Sequence, residues 1–169
     1  GSNHAGELDT AKELVDVAAD AGVNAVKFQT YKAEDHIVKE SGGIEYLEGE
    51  NRSQYEIYKD TEMPREWIPE LAEYAEEQGV LFLSTPAEEN SADALDPHVP
   101  LFKIESFNLS NHPFLEYLAE KGKPIIVSTG AHEYEEIIEA GEFLEEIGVE
   151  HVLLHCVSSY PTPLERINV

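Results

Sequence analysis

Cations are scarce in this chain, which holds 11 Lys and Arg together against 35 Asp and Glu. Two lysines nevertheless stand inside apolar runs, Lys27 in "AVKFQT" and Lys103 in "LFKIES". Burying an ammonium is costly unless an anion or a set of oxygen atoms offsets its charge. A single such lysine is equally well read as one that snorkels past a strand end or pairs with a glutamate such as Glu105. Two in equivalent places favour a shared anionic partner, a phosphate or a carboxylate. Hydroxyls follow the same pattern, with Thr85, Ser106, Ser128, Thr129 and Ser158 closing apolar runs. A hydroxyl or backbone N–H at the turn after a strand donates to phosphate oxygens, and Gly130 lets the backbone approach closely. Each alone is more often a cap or turn residue; their recurrence gives them weight. Gln29 lies two residues beyond Lys27, so both share one face of an extended segment. Lys103 and Ser106 differ in parity, so one of them must reach around the strand end.

The histidines carry less. His155 in "LLHCV" reads as a core or supporting residue, His4 in "NHAG" as a loop residue bonding locally, and His112 and His132 have no partner at metal-ligand spacing. The single cysteine, Cys156, cannot make an internal disulfide and has no base placed by sequence to activate it, so it reads as a buried packing residue. No metal ligand is assigned.

The elements that must position these residues alternate. Helices are expected at 9–21, with Asp9 or Thr10 as cap and Gly22 as stop, and at 64–78, 88–95, 113–121 and 133–147. Strands are expected at 25–30, 80–84, 101–105, 124–128 and 151–156. Residues 31–62 form a long polar excursion with a short helix near Gln54–Lys59. Strand–helix alternation with short links means parallel pairing through crossovers, and near-continuous apolar strands suit a sheet covered on both faces. A doubly wound sheet and a (β/α) barrel both fit. All five strands end in polar residues, which favours the barrel, where every C-terminal strand end faces one mouth. A complete barrel takes about 250 residues and eight strands. The 169 residues here supply five strands, so the expectation is an α/β fold of the (β/α)8 TIM-barrel type, incomplete, comprising about strands 2–6 with their helices.

Net charge excludes other classes. At −24 the surface repels nucleic acid and anionic lipid, no apolar run reaches membrane-span length, and the first residues lack a signal-peptide pattern. The acids are spread along helices such as "EYEEIIEAGEFLEEIG" rather than gathered in a tail. That distribution fits a surface adapted to high salt, where screening removes self-repulsion, so a halophile's cytoplasm is the expected setting.

Six motifs taken in order, "GSNHAG", "AVKFQTYKAE", "FLSTP", "FKIES", "GKPIIVSTG" and "LLHCVSSYPTP", resemble the N-acetylneuraminate (sialic acid) synthase family, which includes makers of legionaminic and pseudaminic acids. The resemblance covers essentially the whole chain. It implies the catalytic barrel domain over 1–169, truncated at both ends and without the family's C-terminal antifreeze-like domain. It further implies condensation of phosphoenolpyruvate with an N-acetylated aldose such as N-acetylmannosamine. By the same resemblance Lys27, Lys103, Ser106 and Ser128 hold phosphoenolpyruvate, while Gln29, Thr85, Ser158 and Tyr160 line the same mouth. A divalent metal, typically manganese, is implied, with its two histidine ligands beyond Val169, and the full-length form is expected to be a homodimer. The family's Ser-Gly-Glu after strand four is replaced by Ser106-Phe107-Asn108, so its sugar-contacting glutamate becomes an amide. Alternatives are another phosphate-using barrel synthase or aldolase, or a non-catalytic sugar-phosphate-binding relative.

An incomplete barrel leaves apolar sheet edges facing water. The isolated chain is therefore expected to be inactive and to self-associate, with size-exclusion chromatography and an activity assay as the check; a monodisperse active monomer would contradict the reading.

Overall fold

The computed structural model describes residues 2–42 and 52–167. Most of the glycine-containing part of the 31–62 excursion, residues 43–51, lies outside the described residues. The chain falls into two compact units, residues 1–100 and 101–169, each described by itself.

In the first unit α1 (Leu8–Asp20) leads to β1 (Ala25–Thr30), then α2 (Ala33–His36), α3 (Gln54–Asp60), α4 (Trp67–Glu77), β2 (Leu81–Pro86), α5 (Glu89–Leu95) and a 3-10 turn at Asp96–His98. Neither Asp9 nor Thr10 caps α1. Glu7 takes the N-cap position without a side-chain bond, and Asp9 lies in the first turn, where its charge faces the positive end of the helix. Ser53 and Glu56 close a capping box on α3, each side chain bonding the other's backbone N–H. Pro64 opens a tight turn rather than the helix: the N–H groups of Trp67 and Ile68 donate to the carbonyls of Pro64 and Arg65, three residues back in each case. α1 and α4 pack through Ala11, Val15, Leu71 and Ala75, all fully buried. Lys12 Nζ donates to Glu70 (2.6 Å) and Tyr74 Oη to Asp16 (2.8 Å) along their solvent side.

β1 and β2 pair in parallel with Lys27 opposite Leu83 and Gln29 opposite Thr85. The two-residue period puts these four on one face and Phe28, Thr30, Phe82 and Ser84 on the other. The second face is core. Phe28 stacks on Phe82 with ring centroids 5.9 Å apart, and the buried hydroxyls of Thr30 and Ser84 bond each other at 2.8 Å. Burial of a phenylalanine contributes about 1.5–3 kcal/mol, so this face fixes the register. A slip by one residue would bury Lys27 against the helices.

The second unit comprises β3 (Phe102–Ile104), a 3-10 turn at Ser106–Asn108, α6 (His112–Ala119), β4 (Ile125–Ser128), α7 (Tyr134–Glu146), β5 (His151–Leu154) and a 3-10 turn at Leu164–Arg166. The three strands form one parallel sheet in the order β3-β4-β5. Phe102, Ile104, Ile125, Val127, Leu115, Leu118 and Leu144 are fully buried. β5 ends two residues earlier than its apolar run suggests, at Leu154, whose carbonyl accepts both the backbone N–H and the hydroxyl of Thr129 (3.2 and 2.9 Å). It is also not covered on both faces: Val152 and Leu154 are 53% and 37% exposed.

His4 is fully buried at the start of the first unit, its ring 5.7 Å from that of Trp67 with planes 78° apart. Its Nδ1 accepts from the Gly6 N–H at 3.1 Å, which places the neutral ring's hydrogen on Nε2, a buried atom without a hydrogen-bond partner among the described residues. Burial pushes the His4 pKa below its usual 6.5. A folded-state pKa below the unfolded value gives stability that is complete above about pH 6.5 and is lost as pH falls through the folded value. We expect thermal melts to show a stability loss on acidification below about pH 6.5 that is shallower in His4→Phe, which keeps a ring against Trp67 and cannot titrate.

Candidate functional site

Two groups of polar side chains gather at C-terminal strand ends, one in each unit. In the first, Lys27 extends along the β1–β2 face so that its Nζ donates to Thr85 Oγ1 at 3.4 Å, and Gln29 stands one pleat further on. Thr85 is 5% exposed and Lys27 and Gln29 are half-buried, so the ammonium is neither in bulk water nor sealed in the core. Gln29 Oε1 accepts from the Ser2 hydroxyl at 3.1 Å.

In the second, Lys103 Nζ donates to Ser128 Oγ at 2.6 Å and to the Ile104 carbonyl. The parity problem posed by Lys103 and Ser106 resolves at Ser106. The chain turns into its 3-10 segment there, and Ser106 Oγ accepts the Gly130 N–H at 3.0 Å. Gly130 is where the three strand ends close. A Cβ built on it would stand 2.5 Å from Ser158 Oγ, 3.1 Å from Ser106 Oγ and 3.3 Å from Cys156 Cβ. The next residue, Ala131, has a positive φ of 60°, which turns the chain sharply away from β4. Lys103, Ser106, Ser128 and Ser158 are thus brought to the ends of three neighbouring strands. Tyr160 is 75% exposed on the segment beyond, ahead of a cis peptide bond to Pro161.

Several residues take structural roles instead. Thr129 is committed to the Leu154 carbonyl, His132 Nδ1 bonds the Gly130 carbonyl (2.9 Å), and His112 stacks on Phe143 at 4.0 Å. His155 is exposed, and its Nε2 bonds the Ile167 carbonyl at 2.7 Å. Asn108 lies between Glu105, to which it donates, and Asn111, from which it accepts at 3.0 Å. Cys156 is half-buried rather than buried, because it sits beside the open Gly130 turn. Its spacing of two from Ser158 was the one signal in the sequence that could have placed it there. Nothing in the periodicity marked Ser2.

A groove of about 540 Å³ lined by Pro69, Glu73, Leu81 and His98 lies at the opposite, N-terminal end of β2. The candidate groups lie instead at the C-terminal strand ends, where in each unit a lysine meets a hydroxyl. Among the described residues no group of three or more His, Cys, Asp or Glu side chains could hold a metal ion. Among the same residues no helix is long and apolar enough to cross a membrane.

Residues 14–169 match the NeuB family. The chain belongs to the NeuB family. It is 46% identical over its whole length to an uncharacterized protein of Methanocaldococcus jannaschii, covering 48% of that protein. It is 35% identical to the pseudaminic acid synthase of Campylobacter jejuni, with 99% of this chain aligned to 50% of the synthase. Among solved structures, the N-acetylneuraminic acid (sialic acid) synthetase of Leptospira borgpetersenii superposes with a TM-score of 0.86 at 32% identity, over 99% of this chain and 55% of that one. This NeuB-family chain therefore spans about half the length of the relatives it matches. Its fold class is α/β of the TIM-barrel type, an incomplete barrel.

Gly130→Ala tests the closure of the strand ends. Its Cβ has to displace Ser158 or Ser106, and overpacking of this kind costs about 1–3 kcal/mol. We expect a lower melting temperature than for Gly42→Ala, where a Cβ meets nothing within 4 Å.

Proposed function

We propose that the full-length protein is a sialic-acid-type synthase, condensing phosphoenolpyruvate with an N-acetylated aldose, N-acetylmannosamine or a relative, to a nine-carbon 2-keto acid and phosphate. The observation that carries this is the Lys103–Ser128–Ser106–Gly130 cluster, a cation and hydroxyls at adjoining strand ends of a chain with net charge −24. Family membership supplies the reaction class. In the reaction the enolpyruvate methylene carbon attacks the open-chain sugar aldehyde and forms the new C–C bond. Water adds at the resulting oxocarbenium carbon, and phosphate leaves with cleavage of its C–O bond, so water supplies the keto oxygen.

The roles of this chain's residues follow from charge. Lys27 and Lys103 bind the anionic substrate, and Ser106 and Ser128 donate to its oxygens, where fixed donors stabilise charge without reorganising. Gln29, Thr85, Ser158 and Tyr160 complete the lining. We place the divalent-metal ligands of the full-length enzyme outside this chain, and we propose a cytoplasmic homodimer.

An aldolase that forms a Schiff base is the alternative to weigh. Lys103 Nζ is held by two oxygen acceptors, an arrangement that favours a charged ammonium over a free amine nucleophile. The test is an assay of the full-length protein with phosphoenolpyruvate, manganese and a panel of N-acetylated hexoses. We expect sugar-dependent phosphate release, with Lys103→Ala and Lys27→Ala each lowering kcat/KM by about a hundredfold or more, as for loss of a charge-assisted contact. Borohydride trapping of substrate on either lysine would establish the aldolase. Absence of phosphate release with every sugar would leave a binding protein.

A further inference from the structure

The Gln29 amide is held from behind by a run of hydroxyls that the catalytic reading does not use. Ser2 Oγ donates to Gln29 Oε1 at 3.1 Å and lies 3.3 Å from the Tyr31 hydroxyl. Tyr31 Oη lies 2.9 Å from Thr61 Oγ1 and 3.1 Å from the Thr61 carbonyl. With the Thr61 hydroxyl donating to Tyr31, the one Tyr31 hydrogen goes to Ser2 Oγ and the one Ser2 hydrogen to Gln29 Oε1. Tyr31 is 5% exposed, with its ring between His36 (5.9 Å) and Tyr58 (5.1 Å). The anchor at the far end is fixed a second time by the neighbouring Glu62. That carboxylate accepts the Ala33 N–H at 2.6 Å and contacts Lys32 and Lys59 at 3.3 and 3.2 Å. Residues 31–33, just past the end of β1, are therefore fastened to 61–62 at two points, once by a hydroxyl and once by a carboxylate.

We infer that Tyr31 is a positioning residue for the synthase reaction: through Ser2 it fixes which way the Gln29 amide faces. An amide can turn over with little steric change, exchanging donor for acceptor. With Oε1 engaged by Ser2, the Gln29 NH2 is directed away from Ser2 and remains as a donor on the face it shares with Lys27 and Thr85. A neutral donor cannot offset a phosphate's charge as the lysines do. It suits an oxygen of the uncharged aldose. The inference rests on the proposed synthase reading for its kinetics and on geometry alone for its structure.

The test uses the full-length protein and Tyr31→Phe, which keeps the ring between His36 and Tyr58 and removes the hydroxyl. We expect the KM for the aldose to rise about tenfold while the KM for phosphoenolpyruvate changes by less than about twofold. In a Gln29→Ala background the same substitution should add less than about twofold, because the relay then has nothing to orient. A structural role alone would lower the melting temperature and move both constants alike in either background, and that result overturns the inference. Crystal structures of the wild type and Tyr31→Phe give an arm independent of activity. We expect the Ser2–Gln29 bond in the first and its loss in the second. A Gln29 amide held unchanged in the variant overturns the inference, whereas absence of synthase activity refutes only the proposed function and leaves this arm to decide.

Discussion

A cation has to be kept at the ends of apolar strands in a chain whose charge is otherwise strongly negative. Everything at the candidate site serves that constraint. Lys103 achieves it by bending to Ser128 Oγ and the Ile104 carbonyl, and Lys27 by reaching Thr85. The oxygens of Ser128, Ile104 and Thr85 are neutral, so these contacts accept from the ammonium groups without adding negative charge beside them.

The fold supplies rigidity on the other side of each sheet. Phe28 against Phe82, Thr30 against Ser84, and the buried run of Phe102, Ile104, Ile125 and Val127 fix the registers that put the lysines on the open face. Ser84 and Thr85 are adjacent hydroxyls with opposite fates. One is sealed in the core and the other meets Lys27, and the pleat alone decides between them. The same division separates Ser128, which bonds Lys103, from Thr129, which bonds the Leu154 carbonyl.

Much of this was legible in the sequence. The strand–helix order, the parallel pairing and the lysine–hydroxyl groupings follow from apolar runs that close in small polar residues, because both periodicity and burial cost are local properties. What was not legible depends on closure in three dimensions. The pairing of Ser106 with the Gly130 N–H needs a 3-10 turn that no periodicity reports, and the end of β5 at Leu154 falls inside an apolar run that continues to Cys156. His4 is the locally bonding loop residue that "NHAG" suggests, held by the Gly6 N–H, but nothing in that short stretch shows that Trp67, sixty-three positions away, encloses it. Ser2 was invisible for the same reason: its partners are Gln29 and Tyr31, brought to it only by the fold.

The hydroxyls of Ser106 and Ser128 have a shared orientation with a chemical result. Each offers its oxygen to a neighbour, the Gly130 N–H in one case and the Lys103 ammonium in the other. Each therefore keeps its own hydrogen available, and a guest rich in acceptor oxygens can take both without displacing the contacts that hold Gly130 and Lys103 in place.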